Sequence, residues 1–205
     1  MGRTFVIATH NVKKAGEMLT ILGDTVPGHT WLTLADYPHV PEPEEMGTTY
    51  AENAAIKAEH ACSLTGEWCL ADDAGLEVDA MGGEPGLYSK RFAGEETPFP
   101  EKMRRILDRL RDLPEDQRTA RFRCCVAFAR PGEATEIFEA TCEGRIAHEP
   151  SGAGGFGYDP IFWLPELGCT MADLSPEQKH AISHRGKVLR LVAERLQGLA
   201  VRRLG

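Results

Sequence analysis

No run in these 205 residues approaches the ~18 apolar residues of a membrane span. There is no internal repeat and no low-complexity tract. The apolar run Phe5-Val6-Ile7-Ala8 is too short for a signal peptide, and Asn11, Lys13 and Lys14 follow at once. A basic field is also missing. Lys and Arg number 23 against 31 Asp and Glu, a net charge of −8. That argues against general binding to nucleic acid or to a membrane surface. It leaves room for a small anionic ligand, because one site needs only a local group of cations. The six cysteines form no C-x-x-C pair and sit mostly among apolar residues. They read as reduced core thiols, and a cytoplasmic location is expected. With 42% hydrophobic residues, disorder is excluded.

What is present is a mixture of strand and helix patterns. Thr4 to Ala8 reads as a buried first strand, followed by a helix from about Lys13 with Ala15, Met18, Leu19 and Leu22 on one face. Residues 38–43 carry three prolines and read as loop. Thr49 and Glu52 have capping-box spacing ahead of a second helix, closed by Gly66. Trp68 to Ala71 predicts a short strand that ends in Asp72-Asp73, with glycine turns from Gly75 to Gly86. A third helix is expected between Pro100 and Leu113. Arg121 to Phe128 and Glu136 to Ile146 predict a hairpin. A strand at Ile161 to Trp163, a helix start at Ser175-Pro176 and a last helix from about Gly186 complete the pattern. The class is mixed α/β.

Four groups of residues carry chemistry. Thr9-His10-Asn11-Val12-Lys13-Lys14 joins the first strand to the first helix, where backbone N–H groups and the helix dipole favour a phosphate. The glycines of a Walker loop are absent. Asp72-Asp73, Glu44-Glu45 and Glu52 are oxygen ligands with no His or Cys partner set, which suits Mg²⁺ better than zinc. Gly152 to Gly157 contains the letters of G-x-G-x-x-G, but Pro160 and a strand follow where a dinucleotide fingerprint needs a helix. It reads instead as a pliable loop presenting Phe156 for stacking on a nucleobase. Lys179-His180-Ala181-Ile182-Ser183-His184-Arg185-Gly186-Lys187 concentrates donors in an acidic chain.

In this order the groups resemble the inosine triphosphate pyrophosphatase family, which acts on non-standard purine nucleotides. The matching stretches are Thr9-x-Asn11-x-x-Lys14, Glu45 to Asn53, Ala71 to Leu76, Gly83-x-Pro85-Gly86-x-Tyr88-Ser89, Gly154 to Pro160 and Ser183 to Gly186. The resemblance implies a single domain over residues 1–205, an elongated, mixed-sheet α/β fold of two lobes with the active cleft between them and no linker. It implies a homodimer, Mg²⁺ dependence, and hydrolysis of ITP, dITP and XTP to the monophosphate and pyrophosphate. Carried over by position, Thr9, His10, Asn11 and Lys14 line the phosphate end. Glu45 and Asp73 bind the metal, and Asp73 is also the general base. Phe156 stacks on the base, with Gly157, Tyr158 and Asp159 beside it. Lys179, His184 and Arg185 reach the base or the phosphates. His10 stands where many members have Gly, and Ala74 where many have Ser, which removes a hydroxyl from a substrate-facing position. A Maf-like nucleotide pyrophosphatase, a non-catalytic nucleotide-binding module and an NAD-dependent dehydrogenase are the alternatives.

Overall fold

Thr4–Ile7, buried from Phe5 onward, is the first strand, β1. It lies between β2 (Thr30–Thr33) and β3 (Trp68–Val78) and is parallel to both. The computed structural model describes residues 2–201. Among them one seven-stranded sheet runs in the order β2-β1-β3-β4-β5-β6-β7. β4 is Thr119–Ala129, β5 Glu136–Ile146, β6 Phe162–Leu164 and β7 Cys169–Thr170. β6 is antiparallel to both β5 and β7, so the sheet is mixed. The helices are α1 (Val12–Thr25), α2 (Tyr50–Thr65), α3 (Phe99–Arg109), α4 (Pro176–Ile182) and α5 (His184–Val201).

Local chemistry explains the helix boundaries. Thr49 and Glu52 form the expected capping box on α2, and Gly66 ends that helix at φ 72°, a left-handed conformation that glycine reaches without a Cβ clash. Ser175 and Gln178 form a second box on α4, with Pro176 in the first turn. α1 buries Ala15, Met18, Ile21 and Leu22 on one face.

Two compact units divide the chain. The first takes the residues up to Asp73, Cys124–Ala140 and those from Arg185 onward; the second takes Ala74–Arg123 and Thr141–His184. In the first, Phe5 stacks on Trp31 at 4.6 Å and meets Trp68 edge-on at 5.7 Å. In the second, Leu76, Met103, Ile106, Phe122, Tyr158, Phe162 and Met171 share one core cluster.

Three expectations need correction. The strand at Trp68 does not end at Ala71; β3 continues for 11 residues, so Asp72-Asp73 lies inside it. A buried carboxylate is tolerated there because cations meet it, as described below. β2 and β7 were not anticipated: four and two residues are too short to show a period. The last helix opens at His184, ahead of Gly186.

Candidate active site

On the first unit, Thr9, His10 and Asn11 lie in the turn from β1 to α1. Asn11 is the N-cap: its Oδ1 accepts from the N–H groups of Lys13 and Lys14, each at 3.1 Å. Thr9 Oγ1 accepts from the Asn11 N–H at 3.2 Å. Those oxygens are engaged in the cap, so the donors this turn presents are the Thr9 hydroxyl and Asn11 Nδ2, at the positive end of the helix dipole. Lys14, within the first turn of α1, places Nζ 3.2 Å from Asp72 Oδ2.

Asp72 and Asp73 alternate across β3, and their environments differ. Arg185 meets Asp72 Oδ2 through Nη2 at 2.8 Å and Nε at 3.3 Å, while its Nη1 reaches Glu17 at 2.7 Å. Burial alone would push the Asp72 carboxyl up. The Lys14 and Arg185 charges, with help from Lys57, outweigh it and hold that carboxyl far below the usual carboxylate range. Asp73 moves the other way: burial raises it, Glu45 adds to the rise, and Lys57 and Lys14 offset only part.

Lys57, on α2, is the member that sequence reasoning missed. Its Nζ lies 3.0 Å from Asp73 Oδ1 and 3.2 Å from Glu45 Oε1. Burial would lower its pKa, but Asp73, Asp72 and Glu45 outweigh that and keep the ammonium charged. The available signal was a lysine beside Ala54, Ala58 and Ala61, on a helix face that is buried. Asn53, one turn earlier on the same face, accepts the Gly47 N–H on Oδ1 at 2.8 Å and directs Nδ2 toward Asp73 Oδ2 at 3.5 Å. It thereby ties the Glu45 loop to α2. A Cβ at Gly47 would fall 2.5 Å from Asn53 Oδ1, so a side chain there would break this tie.

The carboxylates therefore have separate duties. Glu52 accepts from Thr48 and Thr49 as part of the cap, and Asp72 is ion-paired. Glu45 and Asp73 converge on the Lys57 ammonium. No group of three or more His, Cys, Asp or Glu side chains among the described residues could cage a metal. Two carboxylates are a donor set that suits Mg²⁺, which water and phosphate oxygens complete.

On the second unit, the loop carrying Phe156 is tied by side-chain contacts to Asp159 and Lys179. Asp159 Oδ2 accepts from the Phe156 N–H at 2.8 Å and from Lys179 Nζ at 2.8 Å. The Lys179 ammonium also lies 4.5 Å from the Phe156 ring centroid. Gly155, at φ 66°, permits this: a Cβ there would sit 2.0 Å from Asp159 Oδ2. Gly157, also at φ 67°, faces only the Phe99 ring, 3.7 Å from where its Cβ would be. Tyr158 is buried, donates its hydroxyl to the Ser89 carbonyl at 2.8 Å, and meets Phe99 edge-on at 5.2 Å. A 3-10 turn at Asp159–Ile161 and then β6 follow, so the segment lacks the helix of a dinucleotide fingerprint.

The sequence-predicted residues thus fall into two groups. Thr9, His10, Asn11, Lys14, Glu45, Asp73 and Arg185 belong to the first unit; Ala74, Phe156, Gly157, Tyr158, Asp159, Lys179 and His184 belong to the second. Arg185 grips Asp72 and Glu17. The His184 ring stacks on Phe122 at 4.7 Å, and only 5% of this residue is exposed. The six cysteines are free thiols, five of them buried.

Known proteins similar to this chain fall in one family. A dITP/XTP pyrophosphatase of Geobacillus kaustophilus is 48% identical over 187 residues, covering 91% of each chain. A HAM1 protein from Coxiella burnetii has a matching structure, with a TM-score of 0.86 and 38% identity over 96% of this chain and 99% of that one. The Staphylococcus aureus Ham1 protein matches with a TM-score of 0.85 and 38% identity, over the same shares of the two chains. The Ham1 family pattern matches residues 5–195, and the chain belongs to the Ham1 family.

Proposed function

We propose that the chain is a Mg²⁺-dependent nucleoside triphosphate pyrophosphatase. Its substrates are ITP, dITP and XTP, cut between the α and β phosphates to give the monophosphate and pyrophosphate. The role is to clear deaminated purines from the nucleotide pool. The name of the Geobacillus kaustophilus relative, dITP/XTP pyrophosphatase, supports the substrate class. The observation that carries the chemistry is the gathering of Lys57 between Asp73 and Glu45, with Lys14 on the neighbouring Asp72.

Hydrolysis of a triphosphate has two needs: a proton acceptor for water, and positive charge against the phosphate oxygens. Asp73, raised above an ordinary aspartate, is the better base of the pair. It takes the water proton as the water oxygen bonds to the α phosphorus, and the breaking P–O bond leaves its electron pair on pyrophosphate. Lys57, 3.0 Å from Asp73, orients that carboxylate. Lys14 and Lys57 present charge to the phosphate oxygens. Asp72 stays ionised and holds Lys14 in place. Glu45 and Asp73 would hold Mg²⁺, which when bound supplies Lewis-acid neutralisation of phosphate charge.

At the base, Phe156 offers a stacking face, and Lys179 holds a fixed donor beside it for the O6 of hypoxanthine or xanthine. Adenine carries an amino group there, which cannot accept from an ammonium. Homodimer formation and a cytoplasmic location belong to the same proposal. No helix among the described residues is long and apolar enough to cross a membrane.

The test is to incubate the protein with Mg²⁺ and, separately, ITP, XTP, dITP, GTP and ATP, and to quantify pyrophosphate and monophosphate. Pyrophosphate from ITP, dITP and XTP with little from GTP or ATP is expected. Orthophosphate, or no turnover by folded protein, would overturn the proposal.

A further inference from the structure

Lys102, in the first turn of α3, is 2% exposed, and its ammonium donates to the main-chain carbonyl of Lys90. Glu95 and Glu96 compensate its charge in part, but the hydrogen bond it makes is to a main-chain carbonyl. Burial, with the Lys90 charge, lowers its pKa, and Glu95 and Glu96 offset only part. Met103 and Ile106 already give α3 its apolar contacts, so packing alone does not call for a lysine here.

What the charge touches leads to the base platform. Lys90 follows Ser89, whose carbonyl accepts from the Tyr158 hydroxyl at 2.8 Å. Ser89 is itself fixed: its Oγ accepts from the Leu76 N–H at 2.9 Å and donates to the Gly86 carbonyl at 2.7 Å. The segment between Lys90 and Phe99 folds back through Ala93, held at φ 62°, with Thr97 Oγ1 donating to the Ala93 carbonyl at 2.7 Å. Phe99 then meets Tyr158 edge-on at 5.2 Å and lies 5.2 Å from the Lys102 ammonium. Two successive carbonyls are thereby clamped, one by Tyr158 and one by Lys102, and the Phe99 ring closes the circuit. All of these residues belong to the second unit.

We infer that Lys102 is a positioning residue for the base platform: by holding the Lys90 carbonyl and facing the Phe99 ring, it fixes both partners of Tyr158 and, through them, the presentation of Phe156. This rests on the proposed nucleotide substrate. It assigns to the Gly83-x-Pro85-Gly86-x-Tyr88-Ser89 stretch the task of anchoring Tyr158.

The test compares wild type with Lys102→Met, Lys102→Arg, Tyr158→Phe and the Lys102→Met/Tyr158→Phe double variant. KM and kcat for ITP are measured, with IMP binding by calorimetry as a readout independent of turnover. Lys102→Met is expected to raise KM, and to weaken IMP binding, about tenfold with kcat within about twofold of wild type. Lys102→Arg restores most of the KM. The double variant is no worse than the poorer single one, because both act on one circuit. A lowered melting temperature with unchanged KM and IMP affinity would overturn the inference, as would additive KM effects. If Lys102→Met does not fold, Lys102→Arg and Tyr158→Phe are judged by the same criterion: a raised KM in Tyr158→Phe that Lys102→Arg does not share supports the circuit, and an unchanged KM overturns it. Absence of pyrophosphate release by wild type would instead defeat the substrate reading.

Discussion

The charged cluster of the first unit and the Phe156 loop of the second hold their functional groups by different means. In the cluster, Glu17, Arg185, Asp72 and Lys14 form one chain of ion pairs, and Glu45, Lys57 and Asp73 form another. Each protonation state depends on its neighbours, because burial strengthens every charge interaction. In the loop, one ion pair, Lys179–Asp159, fixes a main-chain shape that requires glycine at position 155. The first arrangement sets charge and the second sets shape. Substitutions in the cluster should therefore alter chemistry or folding, and those in the loop should alter affinity.

The largest effect expected is from Asp73→Asn, which removes the base and leaves the fold. Pyrophosphate release should fall by ~10³ or more, with an unchanged circular-dichroism spectrum. A folded variant with normal turnover would remove Asp73 from that role.

Asp72→Asn should behave differently, as a stability variant. It leaves Arg185 buried beside a neutral amide and should cost about 3–5 kcal/mol in urea unfolding. The pH dependence separates the two acids further. The Asp72 carboxyl is depressed in the folded state. Its contribution is therefore fully present above the unfolded value of 3.8 and is lost as pH falls from there toward the lower folded value. Asp73 is raised when folded, so its ionisation opposes folding; this offsets the partner that Lys57 loses, and Asp73→Asn should destabilise less than Asp72→Asn at neutral pH. Equal losses of stability in the two variants would break the distinction.

In the loop, Phe156→Ala should raise KM for ITP by roughly 10- to 100-fold, the range of one lost base–aromatic stack, with a smaller change in kcat. Gly155→Ala and Gly157→Ala give the finest comparison. Both replace a glycine of positive φ, but only the first drives a methyl group into Asp159 Oδ2. Gly155→Ala should cost about 2 kcal/mol or more and raise KM, whereas Gly157→Ala should cost about 1 kcal/mol. Equal costs would mean that backbone strain alone, and not the Asp159 contact, makes Gly155 necessary.

Much of this was legible in the chain itself. The capping boxes at Thr49/Glu52 and Ser175/Gln178 depend on side chains three residues apart and appear in the structure as spaced. The long strands β4 and β5 showed their pattern, and so did the α1 stripe, because a period of 2 or 3.6 is written over many residues. The Ham1 family motifs were recognisable for the same reason: each is a local run. The extension of β3 through Asp72-Asp73 was not legible, because both cations that neutralise Asp72 are distant in sequence: Lys14 lies on α1, and Arg185 lies 113 residues further along the chain. Arg185 and Lys57 had no local mark of their partners.

The order of the motifs, the helix caps, the mixed α/β class and the family were settled by sequence, since each rests on neighbours within a few positions. Which of two adjacent aspartates stays ionised and which is raised, that Lys57 joins Glu45 to Asp73, and that Tyr158 and Asp159 face inward were decided only by tertiary structure. Burial and long-range charge pairs set those outcomes, and neither is a property of any short stretch of chain.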